Sequence, residues 1–177
     1  MNEEKCMEVL VACYGEHANA EKALKLIYEN ENNLNCATNK SGYTPLMLAV
    51  SNDKLDTVVK PLIALGADIN QVDNNKWSAL MHTCMNLRVE QALVLIDEGA
   101  NLNLVGKWNL ISGSETALDI VERGGYTGNP KDERAMELAN AIRGRGGLKA
   151  RDVKKRGGNR KRKTRKARKG RKGTRRG

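Results

Sequence analysis

The sequence contains no phenylalanine, and its two tryptophans and four tyrosines make up only 3% of the chain. A core built from large aromatic rings is excluded, so burial must come from aliphatic side chains, methionine and alanine. Only three prolines, Pro45, Pro61 and Pro130, interrupt 177 residues, which leaves long stretches free to be helical. No apolar run approaches the roughly 20 residues that span a bilayer, and the N-terminal MNEEKCMEVL lacks the positive start and apolar stretch of a signal peptide. A soluble, intracellular protein without a membrane span is expected. The four cysteines, Cys6, Cys13, Cys36 and Cys84, lie in periodic segments rather than at framework spacings, so reduced core thiols are expected. Catalytic order is missing too: there is no nucleophile, base and acid in sequence, no phosphate loop and no paired carboxylates, so neither an enzyme nor a cofactor is expected. Cys13 with His17, and His82 with Cys84, give isolated pairs rather than four converging ligands, and no metal site is assigned.

What is present is a division of charge. Lys and Arg total 31 against 21 Asp and Glu, but 19 of the basic residues and only one acid, Asp152, lie from Arg143 onward. Residues 1–142 therefore carry a net −8 and the remainder +18, and the two parts require separate explanations.

The acidic part repeats. GYTPLMLAV at 42–50, KWSALMHTC at 76–84 and SETALDIVE at 114–122 each open a short apolar helix with a hydroxyl residue, Thr44, Ser78 or Thr116, able to accept from first-turn amides. Pro45 suits the first helical position. A second motif interleaves: GADIN at 66–70, GANLN at 99–103 and a weaker ENNLN at 31–35. Gly66 and Gly99 fit helix ends that need positive φ, and Asn70 and Asn103 fit the turns after them. Between the motifs lie second helices around Leu24 and Ile27, Val59 and Leu62, and Leu93 and Ile96. Each unit reads as helix, turn, helix, loop.

These segments resemble ankyrin repeats, with their Thr-Pro-Leu-His opening, paired antiparallel helices and Gly-Ala-x-x-Asn ending. The resemblance covers four units, about 4–35, 39–70, 73–103 and 112–143, with outer units degenerate as caps must be. It implies an all-α solenoid over 1–143 that binds proteins through its finger loops and first helices. The motif histidine is replaced by Met47, Met81 and Asp119, which predicts weaker coupling between units. Pro61 predicts a kink or bulge in the second helix of unit two, where Thr44-to-Gly66 is one residue longer than Ser78-to-Gly99. Acidic residues Glu3, Glu4 and Glu8 suit a first cap, and Asn129 is expected to cap the last helix.

The protein-binding residues implied are Tyr43 and Trp77 before the capping hydroxyls, Trp108 in a longer finger, and Asn74, Asn75, Lys76, Lys107 and Asn109 around them. Tyr and Trp are frequent binding hot spots. The alternative is that these rings cover their own loops.

From Gly144 to Gly177 the composition becomes GRGGLKARDVKKRGGNRKRKTRKARKGRKGTRRG, too polar to form a core and expected to be disordered. Its basic residues Lys154, Lys155, Arg156, Arg160, Lys161, Arg162, Lys163, Arg165, Lys166, Arg168 and Lys169 suit a polyanion, RNA or DNA, or a nuclear localisation signal. A membrane-surface role, docking on the acidic body and a solubilising tail are the competing readings. A short ankyrin stack ending in such a tail is similar to proteins of large DNA viruses of eukaryotes. The sequence as a whole points to a scaffold or adaptor, with a nucleic-acid-binding accessory protein as the alternative.

Overall fold

The computed structural model describes residues 3–29, 34–38, 40–107 and 113–155. Eight helices alternate between two rows: α1 (Glu3–Ala12), α2 (Ala20–Glu29), α3 (Pro45–Val50), α4 (Asp56–Ala64), α5 (Ala79–Asn86), α6 (Val89–Asp97), α7 (Ala117–Glu122) and α8 (Glu133–Gly144). Consecutive helices pair as α1–α2, α3–α4, α5–α6 and α7–α8. The first helices also pack on one another in chain order, and so do the second helices. This is a two-layer solenoid in which each helix pair packs on the pairs before and after it.

The local chemistry of each helix start is as the motif requires. Thr44 Oγ1 accepts from Met47 N–H at 3.2 Å and Ser78 Oγ from Met81 N–H at 3.4 Å. Thr116 and Asp119 form a reciprocal capping box. Between the rows lies a continuous core in which Ile27, Leu46, Met47, Leu55, Leu62, Leu80, Met81, Leu95, Ile120, Leu138 and Ile142 are fully buried. Emptying any one of these leucine sites to alanine costs about 2–5 kcal/mol.

The helix ends recur as closely as the starts. Gly66, Gly99 and Gly146 sit at φ +90°, +88° and +87°. The amide after each bonds five residues back: Ala67 to Leu62 O (3.0 Å), Ala100 to Leu95 O (2.9 Å) and Gly147 to Ile142 O (2.8 Å). An asparagine from the preceding unit then takes the next amide. Asn35 Oδ1 accepts from Asp68 N–H (2.6 Å), Asn70 Oδ1 from Asn101 N–H (2.7 Å) and Asn103 Oδ1 from Leu148 N–H (2.8 Å).

The third rung corrects the expected boundary. Residues 144–155 do not leave the body at Gly144. Ala150 is buried, its N–H donates to Asp119 Oδ2 at 2.7 Å, and residues 150–155 form a further helical turn (α9) beside α7. Thr116 Oγ1 lies 2.6 Å from Leu148 O, and Arg145 pairs with Asp97 at 2.9 Å. The stack thus closes with half a unit drawn from the basic segment. Residues 156–177, the rest of the expected tail, lie outside the described residues.

Asp119, standing where the motif has histidine, still bonds beyond its own helix pair, its carboxylate accepting from Ala150 N–H. Three other expectations are corrected. The extra residue of unit two is not at Pro61. Helices α4 and α6 both run nine residues and reach Gly66 and Gly99 ten residues after their starts, so the additional residue lies in the turn 51–55, where Asp53–Leu55 forms a 3₁₀ turn. Asn129 caps only a turn, accepting from Lys131 N–H, and the cap of α8 is Asp132, which accepts from Arg134 N–H at 3.0 Å. Finally, Cys13 and Cys84 are free and buried, but Cys36 is disulfide-bonded.

Candidate functional site

The loops between units form fingers on the side where the first helices begin. In the second finger, Asp73 N–H donates to Trp77 O and Lys76 N–H to Asp73 O, both at 2.9 Å. Asp73 is buried, and its Oδ1 accepts from the amides of Asn75 and Trp77 at 2.8 Å. Thr38 does the same work in the first finger, where its Oγ1 accepts from Tyr43 N–H at 3.0 Å. Neither Thr38 nor Asp73 was singled out in the sequence, although a short polar side chain five or six residues before the capping hydroxyl is a readable turn signal.

The other carboxylate oxygen of Asp73 faces His82 Nε2 at 3.1 Å, joining the finger to α5. His82 is only partly buried. Tyr43 meets its ring edge-on at 5.3 Å between centroids, and Trp77 lies tilted against it at 5.5 Å. His82 therefore brings together Tyr43 and Trp77, the two aromatic residues placed before the helix caps. It is the hub of this cluster.

The structure separates those two aromatics in role. Tyr43 is half-buried and reaches the surface, whereas Trp77 is only 2% exposed. Trp77 is thus corrected from contact residue to support. Its indole passes beneath the third finger, where a Cβ on Gly106 would collide with Trp77 Cδ1. Gly106 is needed here for close approach, and that was the one sequence signal for the burial of Trp77.

Around Tyr43 the surface gains two further tyrosines. Burial raises the Tyr43 hydroxyl pKa above its ordinary value, and the nearby Asp73, Tyr126 and Tyr14 groups raise it further. Tyr14 follows α1 and Tyr126 belongs to the 3₁₀ turn Gly125–Thr127; both are highly exposed, at 62% and 65%. That turn lies against α5, and a Cβ on Gly125 would strike Met85 O. A groove of 520 Å³ runs across the C-terminal ends of α1, α3 and α5, lined among others by Tyr14, Leu48, Ser51, Asn52 and Asn86.

The remaining expected contact residues divide clearly. Asn74, Asn75, Lys76 and Lys107 are exposed on the fingers. Asn74 is committed to the neighbouring finger, its N–H donating to Ser41 O (3.1 Å) and its side-chain amide to Lys40 O (3.0 Å). Lys107 lies in strand β1 (Gly106–Lys107), paired antiparallel with β2 (Ser114–Glu115) at the base of the long finger. Trp108 and Asn109 are outside the described residues. Of the basic candidates, Lys154 donates to Ser114 Oγ at 3.1 Å and Lys155 approaches Asp152 at 3.9 Å, while Arg156, Arg160, Lys161, Arg162, Lys163, Arg165, Lys166, Arg168 and Lys169 lie outside the described residues. Among the described residues no group of three metal-ligating side chains is gathered, and no helix is long and apolar enough to cross a membrane.

Paired helices, hydroxyl caps and fingers joined edge to edge define a helical-repeat solenoid. A family model described as ankyrin repeats (3 copies) matches residues 7–106. The chain belongs to the ankyrin repeat family, whose members are generally protein–protein interaction modules. The fourth helix pair and the closing half-unit continue the same geometry beyond the matched segment.

Proposed function

We propose that this protein is a scaffold that binds a partner protein on the face shared by the fingers and the first helices, with Tyr43 near its centre. The observation that carries this reading is the cluster in which His82 gathers Tyr43 and Trp77 from neighbouring fingers, with Tyr43 reaching the surface. Tyrosine offers a large rigid contact area with a hydrogen-bonding end, which makes it a frequent binding anchor. Position-specific photo-cross-linking in cells tests the reading. A cross-linker at position 43 should capture a discrete partner that one at Lys60, on the second-helix row, does not. Capture from Lys60 alone would move the binding surface to the other row.

A second element is the basic segment, which we infer to be a polyanion tether or nuclear localisation signal. Residues 156–177 contain 13 basic residues and no acid, a density that favours RNA or DNA through counterion release. Binding of mixed-sequence RNA and duplex DNA should fall steeply with salt for the full chain and vanish when the chain ends at Lys155. Binding that survives the shortening would place it on the body instead.

A further inference from the structure

The left-handed turns after the first helices set their register. Gly15, Leu87 and Gly125 hold φ +65°, +52° and +55°, and Met7 stands eight residues before the first of them as Ala79 and Ala117 stand before the others. Ala79 and Ala117 directly follow the capping Ser78 and Thr116, and Pro45 follows Thr44 in the same way. Met7 therefore matches Pro45, Ala79 and Ala117, and Val11, one turn on, matches Ala49, Thr83 and Val121.

Exposure at these two positions divides α1 from the rest. Pro45, Ala79 and Ala117 are buried, and Ala49, Thr83 and Val121 are all 0% exposed. Met7 is 47% and Val11 59% exposed. Helix α1 has a paired second helix and a following first helix, as α3 and α5 do, and among the described residues it lacks only a preceding one. The uncovered pair therefore marks the seat of another helix, packed as α1 packs on α3. A capping unit needs a polar outer surface, and α1 instead presents methionine and valine one turn apart.

Charge identifies the helix. Residues 1–16 hold Glu3, Glu4, Glu8 and Glu16 against Lys5. Glu8 is exposed where the later units bury Leu46, Leu80 and Leu118. An apolar pair edged by carboxylates fits a helix with basic flanks, and the other end of this chain's stack carries one. Helix α9 exposes Arg151, Lys154 and Lys155, contains one acid, Asp152, and leaves Val153 only partly buried. Arg151 and Lys155 are also one turn apart, and they approach Asp152 no closer than 3.7 and 3.9 Å. Residues 156–177 are basic too, but their only apolar side chain is Ala167, which offers little to cover Met7 and Val11.

We propose that the open face of α1 binds the α9 end of a second copy, so that copies stack head to tail and the solenoid continues from one chain into the next. The contact is heterologous: a pair of copies still has one free α1 face and one free α9 end, so association proceeds beyond two. Neither end includes Tyr43 or Trp77.

Sedimentation velocity of the full chain at low salt tests this. The native chain should sediment faster as its concentration rises. Two variants, M7S/V11S and R151E/K155E, change exposed positions and should keep the native melting curve, yet each alone should associate on the order of 10-fold more weakly. Mixed in equal amounts they should form a dimer and stop there, joined through the intact α9 end of the first and the intact α1 face of the second. A native chain that stays monomeric at every concentration would overturn the proposal, and so would a mixture no larger than its components. Association that M7S/V11S leaves unchanged would overturn it in favour of the basic tail, since that variant keeps every charge. Dimers retained by R151E/K155E alone would replace it with contact between two α1 faces.

Discussion

Asn103 Oδ1 accepts the backbone N–H of Leu148 at 2.8 Å, tying a residue in the third unit's final turn to one 45 positions later in what composition marks as a basic tail. Asn103 Nδ2 also approaches Gly146 O at 3.4 Å, so one side chain braces both sides of the closing turn. Replacing Asn103 with alanine should destabilise the fold by about 1–2 kcal/mol, because it leaves a part-buried amide without its acceptor. Hydrogen exchange at Leu148 should accelerate. A chain ending at Arg143 should melt lower still, since Thr116 and Asp119 lose their partners Leu148 and Ala150 as well. A chain ending at Lys155 should retain the full melting temperature.

Lys76 and Gly42 adopt the same left-handed backbone with opposite steric consequences. Lys76→Gly should stabilise the protein by about 1 kcal/mol through relief of strain, unfolded-state entropy offsetting part of the gain. Gly42→Ala should destabilise it, because the new Cβ would also meet Asn74 Oδ1 at 2.8 Å and Asn74 N at 3.0 Å. Urea midpoints of the two variants read both effects with the same assay.

The Glu122 carboxyl makes closure of the stack pH-dependent. Burial pushes its pKa up, but hydrogen bonds and charge from Lys149 and Arg143 outweigh this and hold it below the usual carboxylate value. A depressed folded-state pKa stabilises the fold above the unfolded value, near 4.3, and this contribution is lost as pH falls through the folded value. Glu122→Gln should therefore lower stability at pH 7 and flatten the decline between about pH 5 and 3. Equilibrium unfolding over that range measures the difference.

Burial pushes the Cys13 and Cys84 thiols up to about 12, so at pH 8 only on the order of one molecule in 10⁴ carries a thiolate at either site. Both should resist alkylation in the native protein and react at the rate of global opening. Fast native-state labelling of Cys84 would show that α5 opens without the rest of the stack.

The repeat architecture was legible because caps and helix-ending glycines act locally: Thr44, Ser78, Gly66 and Gly99 each do in the fold what their chemistry specifies within a few residues. The candidate face was only half legible. Tyr43 and Trp77 are equivalent in sequence, yet Trp77 is buried because Gly106, 29 residues away, makes room for its indole. The meeting of Tyr43 with His82 likewise depends on stacking one unit on the next. Arg145, Lys149 and Lys154 read as tail because their composition is basic, but each finds a partner on the body. Composition describes what a segment could do alone and is blind to the acidic and hydroxyl groups waiting for it.

The asparagine rungs also explain why the last part of the fold is hard to recognise in the letters of the sequence. On the accepting side every rung needs one residue type, Asn35, Asn70 or Asn103. On the donating side it needs only a main-chain N–H, which every amino acid except proline supplies. Leu148 accordingly occupies the place of Asp68 and Asn101 although its side chain resembles neither. Half of each joint is open to mutational drift, so a chain of this kind can lose its textual repeat while keeping its physical one.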